Sequence, residues 1–113
     1  MIAQGRTYGC PVELSLTMLG GKWKTVILAR LKQQDHRYGE LRRVIPDLSE
    51  KVLTQRLQEL EEDGFIVRRQ DKGGSRYSMT ERGASLQPVL TALYSWGLGE
   101  AQIHNARFRV NQR

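Results

Sequence analysis

Polar side chains occupy one side of the segment LSEKVLTQRLQEL, residues 48–60, when it is drawn as a helix. At about 100° per residue, Leu53, Leu57 and Leu60 form an apolar seam. The side opposite this seam carries hydrogen-bonding residues, namely Lys51, Thr54, Gln55 and Gln58. Glutamine pairs with adenine, lysine donates to guanine or phosphate, and threonine offers a hydroxyl and a methyl group. The pattern is typical of a helix that reads DNA bases, and the alternative is an ordinary solvent-exposed face.

The same segment contains further candidate contacts. Ser49 is in position to cap the helix, and the first turns of a recognition helix are the part that reaches base edges. Acidic residues lie at the far end, at positions 61–63, where they would disturb DNA least. Arg56 lies nearer the seam and has two interpretations, a phosphate contact or an ion pair with an acid such as Glu59 or Glu40. The predicted contacts on this helix are Ser49, Lys51, Thr54, Gln55, Arg56 and Gln58.

A basic hairpin follows this helix in the sequence. The stretch RRQDKGGSRYS surrounds a Gly-Gly tip with Arg and Lys, and glycine at a turn lets the backbone approach another surface closely. Basic residues at such a tip can bind phosphates or enter a minor groove, whereas the alternative is a plain surface hairpin whose charges prevent edge pairing. The predicted wing and backbone contacts are Arg42, Arg43, Lys72, Gly73 and Arg76.

Cys10 is the only cysteine and the other residue with evident chemistry. It precedes Pro11, which suits the first position of a helix, so its thiol should lie beside a helix N-terminus. Backbone N–H groups there favour the reactive thiolate. A single cysteine rules out an intrachain disulfide and leaves a Cys10–Cys10 bridge between two chains, mixed thiolation or an adduct. The alternative is an inert, partly buried cysteine.

The elements that must position these residues are predicted from periodicity and from helix-stop signals. Helices are expected over 11–19, 23–31, 38–45 and 49–62, ended by Gly20-Gly21, Pro46 and Gly64. Strands over 65–70 and 75–79 flank a turn at 71–74, with Phe65 and Val67 on one face of the first strand. A last helix spans 81 to about 101, and Pro88 either kinks it or marks a restart. Two helices separated by a short turn and followed by a hairpin predict a mainly α fold, a winged helix-turn-helix.

Composition and charge favour a DNA-binding protein and argue against several other classes. The chain has 113 residues, a net charge of +6 and a pI near 9.9, which fits a polyanionic partner such as double-stranded DNA. No apolar run could span a bilayer, so we expect no membrane partner and a cytoplasmic location. Two distant histidines, His36 and His104, and one cysteine make a poor metal-ligand or catalytic set. We therefore expect no enzyme, no metal and no cofactor.

Apolar stripes on the first and last helices predict that the protein binds a second copy of itself. The last helix places its leucines on one stripe, and the first helix is apolar on more than one side, which a domain of this size cannot easily bury internally. The alternative is that the stripe packs on its own domain. The residues predicted for a homodimer interface are Leu14, Leu86, Val89, Leu90, Leu93 and Trp96.

Several of these motifs together resemble the HxlR family of bacterial winged-helix transcription regulators. They are CPV at 10–12, LGGKW at 19–23, YGEL at 38–41, IP at 45–46, SEKVLTQRL at 49–57, LEEDG at 60–64, YSMTERG at 77–83 and PVLTALYSW at 88–96. Each motif is weak alone, and together they cover roughly residues 8–100. The sequence departs from the family pattern at Tyr38, where the family has Phe, and that change is conservative.

The resemblance implies a homodimer on a pseudo-palindromic operator, often a repressor and sometimes an activator. It implies that helix 49–62 reads the major groove, that the hairpin is a wing on flanking DNA, and that the first and last helices form the dimer. Some similar regulators sense oxidants or electrophiles through a cysteine before the first helix, so a small-molecule or oxidant signal is open. The chain is expected to be one domain, with an arm at 1–10, a winged-helix core at 11–80, a dimerisation helix at 81–103 and a basic tail at 104–113. A dimeric interaction module, or an effector sensor without thiol control, is the alternative function.

Overall fold

The computed structural model describes residues 5–109, so the outer ends of the predicted arm and tail lie outside the described residues. The chain forms six helices and three strands within that range. Their order is α1 Pro11–Leu19, α2 Lys22–Gln33, β1 His36–Arg37, α3 Tyr38–Val44, α4 Glu50–Glu62, β2 Ile66–Asp71, β3 Gly74–Met79, α5 Glu81–Ala84 and α6 Gln87–His104. The mainly α winged helix-turn-helix fold is confirmed.

Helix boundaries follow local signals that are present in the sequence. Pro11 lies in the first turn of α1, where a missing N–H costs nothing. Gly20 and Gly21 both adopt positive φ, 59° and 83°, and this conformation turns the chain from α1 into α2. Ser49 caps α4, because its side-chain oxygen accepts a hydrogen bond from the Val52 N–H at 3.2 Å. Gly64, with φ of 81°, ends α4 as predicted.

The three strands form one antiparallel sheet in the order β1-β3-β2. Strands β2 and β3 are joined by a two-residue turn, since Asp71 pairs with Gly74 at the end of the ladder. Strand β1, which the sequence analysis missed, pairs His36 with Tyr77 and Arg37 with Arg76. The predicted hairpin is therefore the outer part of a three-stranded sheet, and the added strand joins the wing to the segment that starts α3.

Leucine and isoleucine side chains from α2, α3 and α4 make up the centre of the core. Leu53, Leu57 and Leu60 are almost fully buried, which confirms the apolar seam of α4. They pack with Ile27 and Leu28 of α2 among other core residues. This burial fixes the rotation of α4 about its axis and leaves its polar side at the surface.

The structure refines three points of the sequence analysis. The predicted last helix is two helices, because Pro88 lies in the first turn of a new helix that begins at Gln87, as the restart interpretation had it. Phe65 and Ile66 are both buried at the start of β2, where Phe65 and Val67 had been expected to share a face. Leu90, predicted for the dimer interface, is only 4% exposed and packs in the core of its own domain, which leaves little of its side chain for a second chain.

No helix within residues 5–109 combines the length and apolar character that a membrane crossing would require.

Candidate nucleic-acid interface

The outer face of α4 carries the predicted base-reading residues. Lys51, Thr54, Gln55 and Gln58 are all exposed. Their exposure follows from the leucine seam, because the two sides of an amphipathic helix are set by one rotation angle. The turn between α3 and α4 is held by Ile45 and Leu48, which are buried. The N-terminal turn of α4 therefore projects from a fixed support.

Tyr38 connects the start of α3 to the outer face of α4. Its hydroxyl lies 3.0 Å from Thr54 Oγ1 and 3.3 Å from the Glu50 carbonyl oxygen, to which it donates. A hydrogen bond to a residue on the DNA-reading side restricts the rotamer of that residue and helps to set the position of the helix. Phenylalanine at position 38 would lack the hydroxyl that makes this contact.

Arg37, the residue before Tyr38, connects the start of α3 to the tip of the wing. Its Nη1 and Nη2 donate to the two carboxylate oxygens of Asp71 at 2.7 and 3.1 Å, and Nη1 also lies 3.3 Å from the Gly74 carbonyl oxygen. The hydrogen bond from Arg37, followed by the one that Asp71 Oδ1 accepts from the Gly73 N–H at 2.8 Å, lowers the pKa of Asp71. The hydrogen bond to Asp71 likewise raises the pKa of Arg37.

These two adjacent residues place the wing tip and the outer face of α4 close together. Consecutive Cα atoms are about 3.8 Å apart, and one side chain from this pair touches Thr54 while the other touches Asp71. The sequence analysis had predicted each surface by itself. The structure links both surfaces to the adjacent residues Arg37 and Tyr38.

Basic residues surround this shared surface, and some of them are partly neutralised. Lys51, Lys72 and Arg43 are exposed, whereas Arg42 lies 3.6 Å from Glu50 and Arg76 lies 3.8 Å from Asp71. Gly73 forms the tip beside Lys72, and Arg68 and Arg69 are exposed on β2. Exposed ion pairs of this kind are weak, so these arginines stay available to a phosphate.

Arg56 has an acidic partner within its own helix. Its Nη1 donates to Glu59 Oε1 at 2.9 Å, so the intrahelical ion pair, one of its two predicted interpretations, is present. Glu59 also lies 3.7 Å from Lys24 of α2, and Lys24 lies 3.8 Å from Asp63 at the end of α4. Lys24 is 6% exposed. This charged group joins α2 to α4 behind the DNA-reading face, and the sequence analysis missed it.

Arg109, in the described part of the predicted basic tail, lies beside the turn of the helix-turn-helix. Arg109 Nη2 donates to both carboxylate oxygens of Asp47 at 2.7 and 2.9 Å, although the two residues are 62 positions apart. Asp47 comes two residues before the Ser49 cap, so this ion pair neutralises an acid next to the N-terminus of α4.

Cys10 occupies the N-cap position of α1, as predicted, and is exposed. Its carbonyl oxygen accepts the first helical hydrogen bonds, from the N–H groups of Glu13 and Leu14 at 3.1 and 3.3 Å. No cluster of metal-binding side chains is present between residues 5 and 109. The thiol is accessible to an oxidant or an electrophile without any rearrangement of the chain.

Large apolar side chains are exposed on the first and last helices. Leu14, Val89 and Leu93 are each more than one third exposed and Trp96 is 70% exposed, while Leu86 packs partly against the core. Further exposed apolar residues on the same helices are Val12, Leu16, Tyr94, Leu98 and Ile103. An apolar surface of this extent on a small domain is typical of a protein–protein interface.

Comparison with known proteins agrees with this geometry. The model of the HxlR-like helix-turn-helix family matches residues 18–105. The chain belongs to the HxlR family. It is 42% identical over 95 residues to the HTH-type transcriptional regulator YtcD of Bacillus subtilis (strain 168), covering 81% of this chain and 75% of that protein. As a member of this family, it is a transcriptional regulator of the helix-turn-helix type.

Two solved structures add information on related HxlR-like folds. The redox regulator HypR in its oxidised form superposes with a TM-score of 0.75 at 35% identity, covering 80% of this chain and 96% of HypR. The quinone-bound YodB from B. subtilis superposes with a TM-score of 0.67 at 32% identity, covering 78% of this chain and 97% of YodB. Both matches extend over most of this chain.

Proposed function

We propose that this HxlR-family protein is a homodimeric, sequence-specific repressor that binds a pseudo-palindromic operator. Helix α4 enters the major groove and the wing contacts flanking DNA. The observation that carries this proposal is the pairing of Tyr38 with Thr54 and of Arg37 with Asp71, because two adjacent residues link the polar face of α4 and the basic wing. A surface formed only for solvation would have no need of this arrangement.

Each part of the surface has a distinct task in this proposal. Gln55, Gln58 and Thr54 read base edges. Lys51 and Ser49, in the N-terminal part of α4, contact the DNA backbone nearby. Lys72, Gly73 and Arg76 on the wing, with Arg42 and Arg43 of α3, bind phosphates and give affinity that falls as salt rises. Arg56 supports α4 through its ion pair with Glu59.

A dimer follows from the exposed apolar residues of α1 and α6. Leu14, Val89, Leu93 and Trp96 form the centre of the proposed interface, and Leu86 lies at its edge. Two-fold symmetry would place two α4 helices about one turn of DNA apart, which matches a pseudo-palindromic operator.

Thiol control through Cys10 is the regulatory part of the proposal. The exposed thiol and the likeness to the redox regulator HypR and to the quinone-bound YodB support it. Oxidation of two Cys10 thiols from two chains forms one S–S bond, and the two protons and two electrons pass to an oxidant such as diamide. Mixed thiolation and a quinone adduct are the other routes open to a single cysteine.

A gel-shift titration tests the proposal. The purified protein is titrated on DNA from upstream of its own coding sequence, reduced and then treated with diamide, with random DNA as competitor. Specific binding that is lost on oxidation supports a Cys10-controlled repressor. Specific binding that survives oxidation supports a DNA-binding regulator and excludes control through the Cys10 thiol. Absence of any specific shift on this DNA and on a genomic fragment library favours the alternative, a dimeric interaction module that leaves DNA to a partner.

A further inference from the structure

Hydrogen bonds from outside the hairpin hold the wing tip. Asp71 accepts two hydrogen bonds from the Arg37 guanidinium and one from the Gly73 N–H. Arg37 itself precedes α3, and its own N–H donates to Glu40 Oε1 at 2.7 Å, in the first turn of that helix. One arginine is therefore fixed at its backbone to the first helix of the helix-turn-helix and at its side chain to the wing.

Gly73 fits this arrangement because it has no side chain. A Cβ built on Gly73 would lie 2.7 Å from Arg37 Cζ, 2.8 Å from Nη1 and 2.9 Å from Nη2, all closer than carbon atoms approach. The φ of Gly73 is not positive, so alanine would meet no backbone strain there. The turn residue is small because the guanidinium packs flat against it.

Asp71 is an unfavourable residue for a DNA-contacting tip if charge alone is considered. A carboxylate next to Lys72 in the sequence and 3.8 Å from Arg76 would repel phosphates and reduce the affinity that those cations supply. Its contacts give a reason for its presence, because a bidentate pair with arginine specifies a direction as well as a distance.

We propose that Arg37 and Asp71 are positioning residues that set the wing against the helix-turn-helix, so that α4 and the wing engage DNA in one fixed geometry. The proposal rests on the proposed DNA-binding function and deepens it. The pair acts through the wing, and neither residue needs to touch DNA.

The proposal can be tested because an explanation by charge alone and the positioning role predict different DNA affinities for the same variants. Arg37→Lys keeps the charge and loses the bidentate pair. Asp71→Ala removes a negative charge, and Gly73→Ala changes no charge but displaces the guanidinium. If charge alone mattered, the first and third variants would bind DNA as the wild type does, and Asp71→Ala would bind more tightly.

If Arg37 and Asp71 position the wing, all three variants should bind the operator more weakly, by roughly three- to tenfold. This is the loss expected when a well-oriented surface pair is removed. Glu62→Ala is the matched control for loss of an acid, since Glu62 is exposed at the far end of α4. It should bind as tightly as the wild type or more tightly. Affinities are measured by fluorescence anisotropy at several salt concentrations, with thermal melting to confirm that each variant folds.

Two combined variants separate the pair from direct DNA contacts. Arg37→Lys with Asp71→Ala should bind no more weakly than either single variant, because both remove the same bond. Gly73→Ala should add no loss in the Arg37→Lys background if it acts through the guanidinium. Amide exchange at Gly73 should speed up in Asp71→Ala and in Arg37→Lys, since its N–H donates to Asp71 and Arg37 orients that carboxylate.

Tighter binding by Asp71→Ala, or unchanged binding by Arg37→Lys, would overturn the proposal while leaving DNA binding intact. A wild type that shows no specific operator binding would instead overturn the proposed function, and amide exchange would still report whether the pair orders the wing.

Discussion

Replacing Lys24 with methionine should destabilise the fold more than any exposed lysine would. Lys24 is 6% exposed and lies 3.7 Å from Glu59 and 3.8 Å from Asp63. Methionine keeps most of the apolar length of lysine, so the change removes mainly the charge. Glu59 retains Arg56 as a partner at 2.9 Å, whereas Asp63 has no other ion pair among residues 5–109.

The magnitude follows from the buried Asp63 carboxylate, which would lose its ion pair with Lys24. At an effective dielectric constant of about 20, each of the two pairs is worth about 4 kcal/mol before the cost of desolvation. Removing one partner of a buried pair costs about 3–5 kcal/mol in measured cases. We expect about 3 kcal/mol at neutral pH, or a fall in Tm of roughly 10 °C for a domain of this size.

Chemical denaturation at one fixed protein concentration measures this change, because dimerisation makes stability depend on concentration. Lys32→Met is the matched control on the same helix and should cost less than about 0.5 kcal/mol. Adding Asp63→Asn to Lys24→Met should recover at least half of the loss. A loss below about 1 kcal/mol for Lys24→Met, or full additivity in the double variant, would refute the reasoning.

Four further outcomes are expected. Tyr38→Phe loses the hydroxyl bonded to Thr54, so operator affinity should fall several-fold while stability changes by about 1 kcal/mol or less in a melting experiment. Trp96→Glu places a charge in the proposed interface and should convert dimer to monomer in sedimentation, and an unchanged dimer would exclude α6 from it. Cys10→Ser should preserve DNA binding under reducing conditions and abolish the diamide response, so a persistent response would discard the thiol sensor. The pKa of Asp71 and of Glu40 is lowered, so their stabilising contribution is complete above the ordinary values of 3.8 and 4.5 and is lost as pH falls through the lowered ones. Carboxyl NMR titration checks this, and midpoints at or above the ordinary values would contradict it.

Local signals in the sequence were sufficient to predict most of the helices. The spacing of Leu53, Leu57 and Leu60 predicted which side of α4 is buried, because helical periodicity depends only on residues three or four positions apart. Gly64 and Ser49 marked the ends of the same helix for similarly local reasons. The polar face of α4 and the position of Cys10 could therefore be located from the sequence alone.

Only the tertiary structure decided which distant groups meet. Arg37 pairs with Asp71 across 34 positions, and nothing local to either residue indicates the other. Leu90 continues the stripe of the last helix, yet the core of its own domain buries it. Lys24 is buried beside two carboxylates at the C-terminal end of α4, and no local pattern around Lys24 indicates those partners. Periodicity specifies the face of each element, whereas the pairing of faces depends on how all elements pack at once, and that is a property of the folded chain.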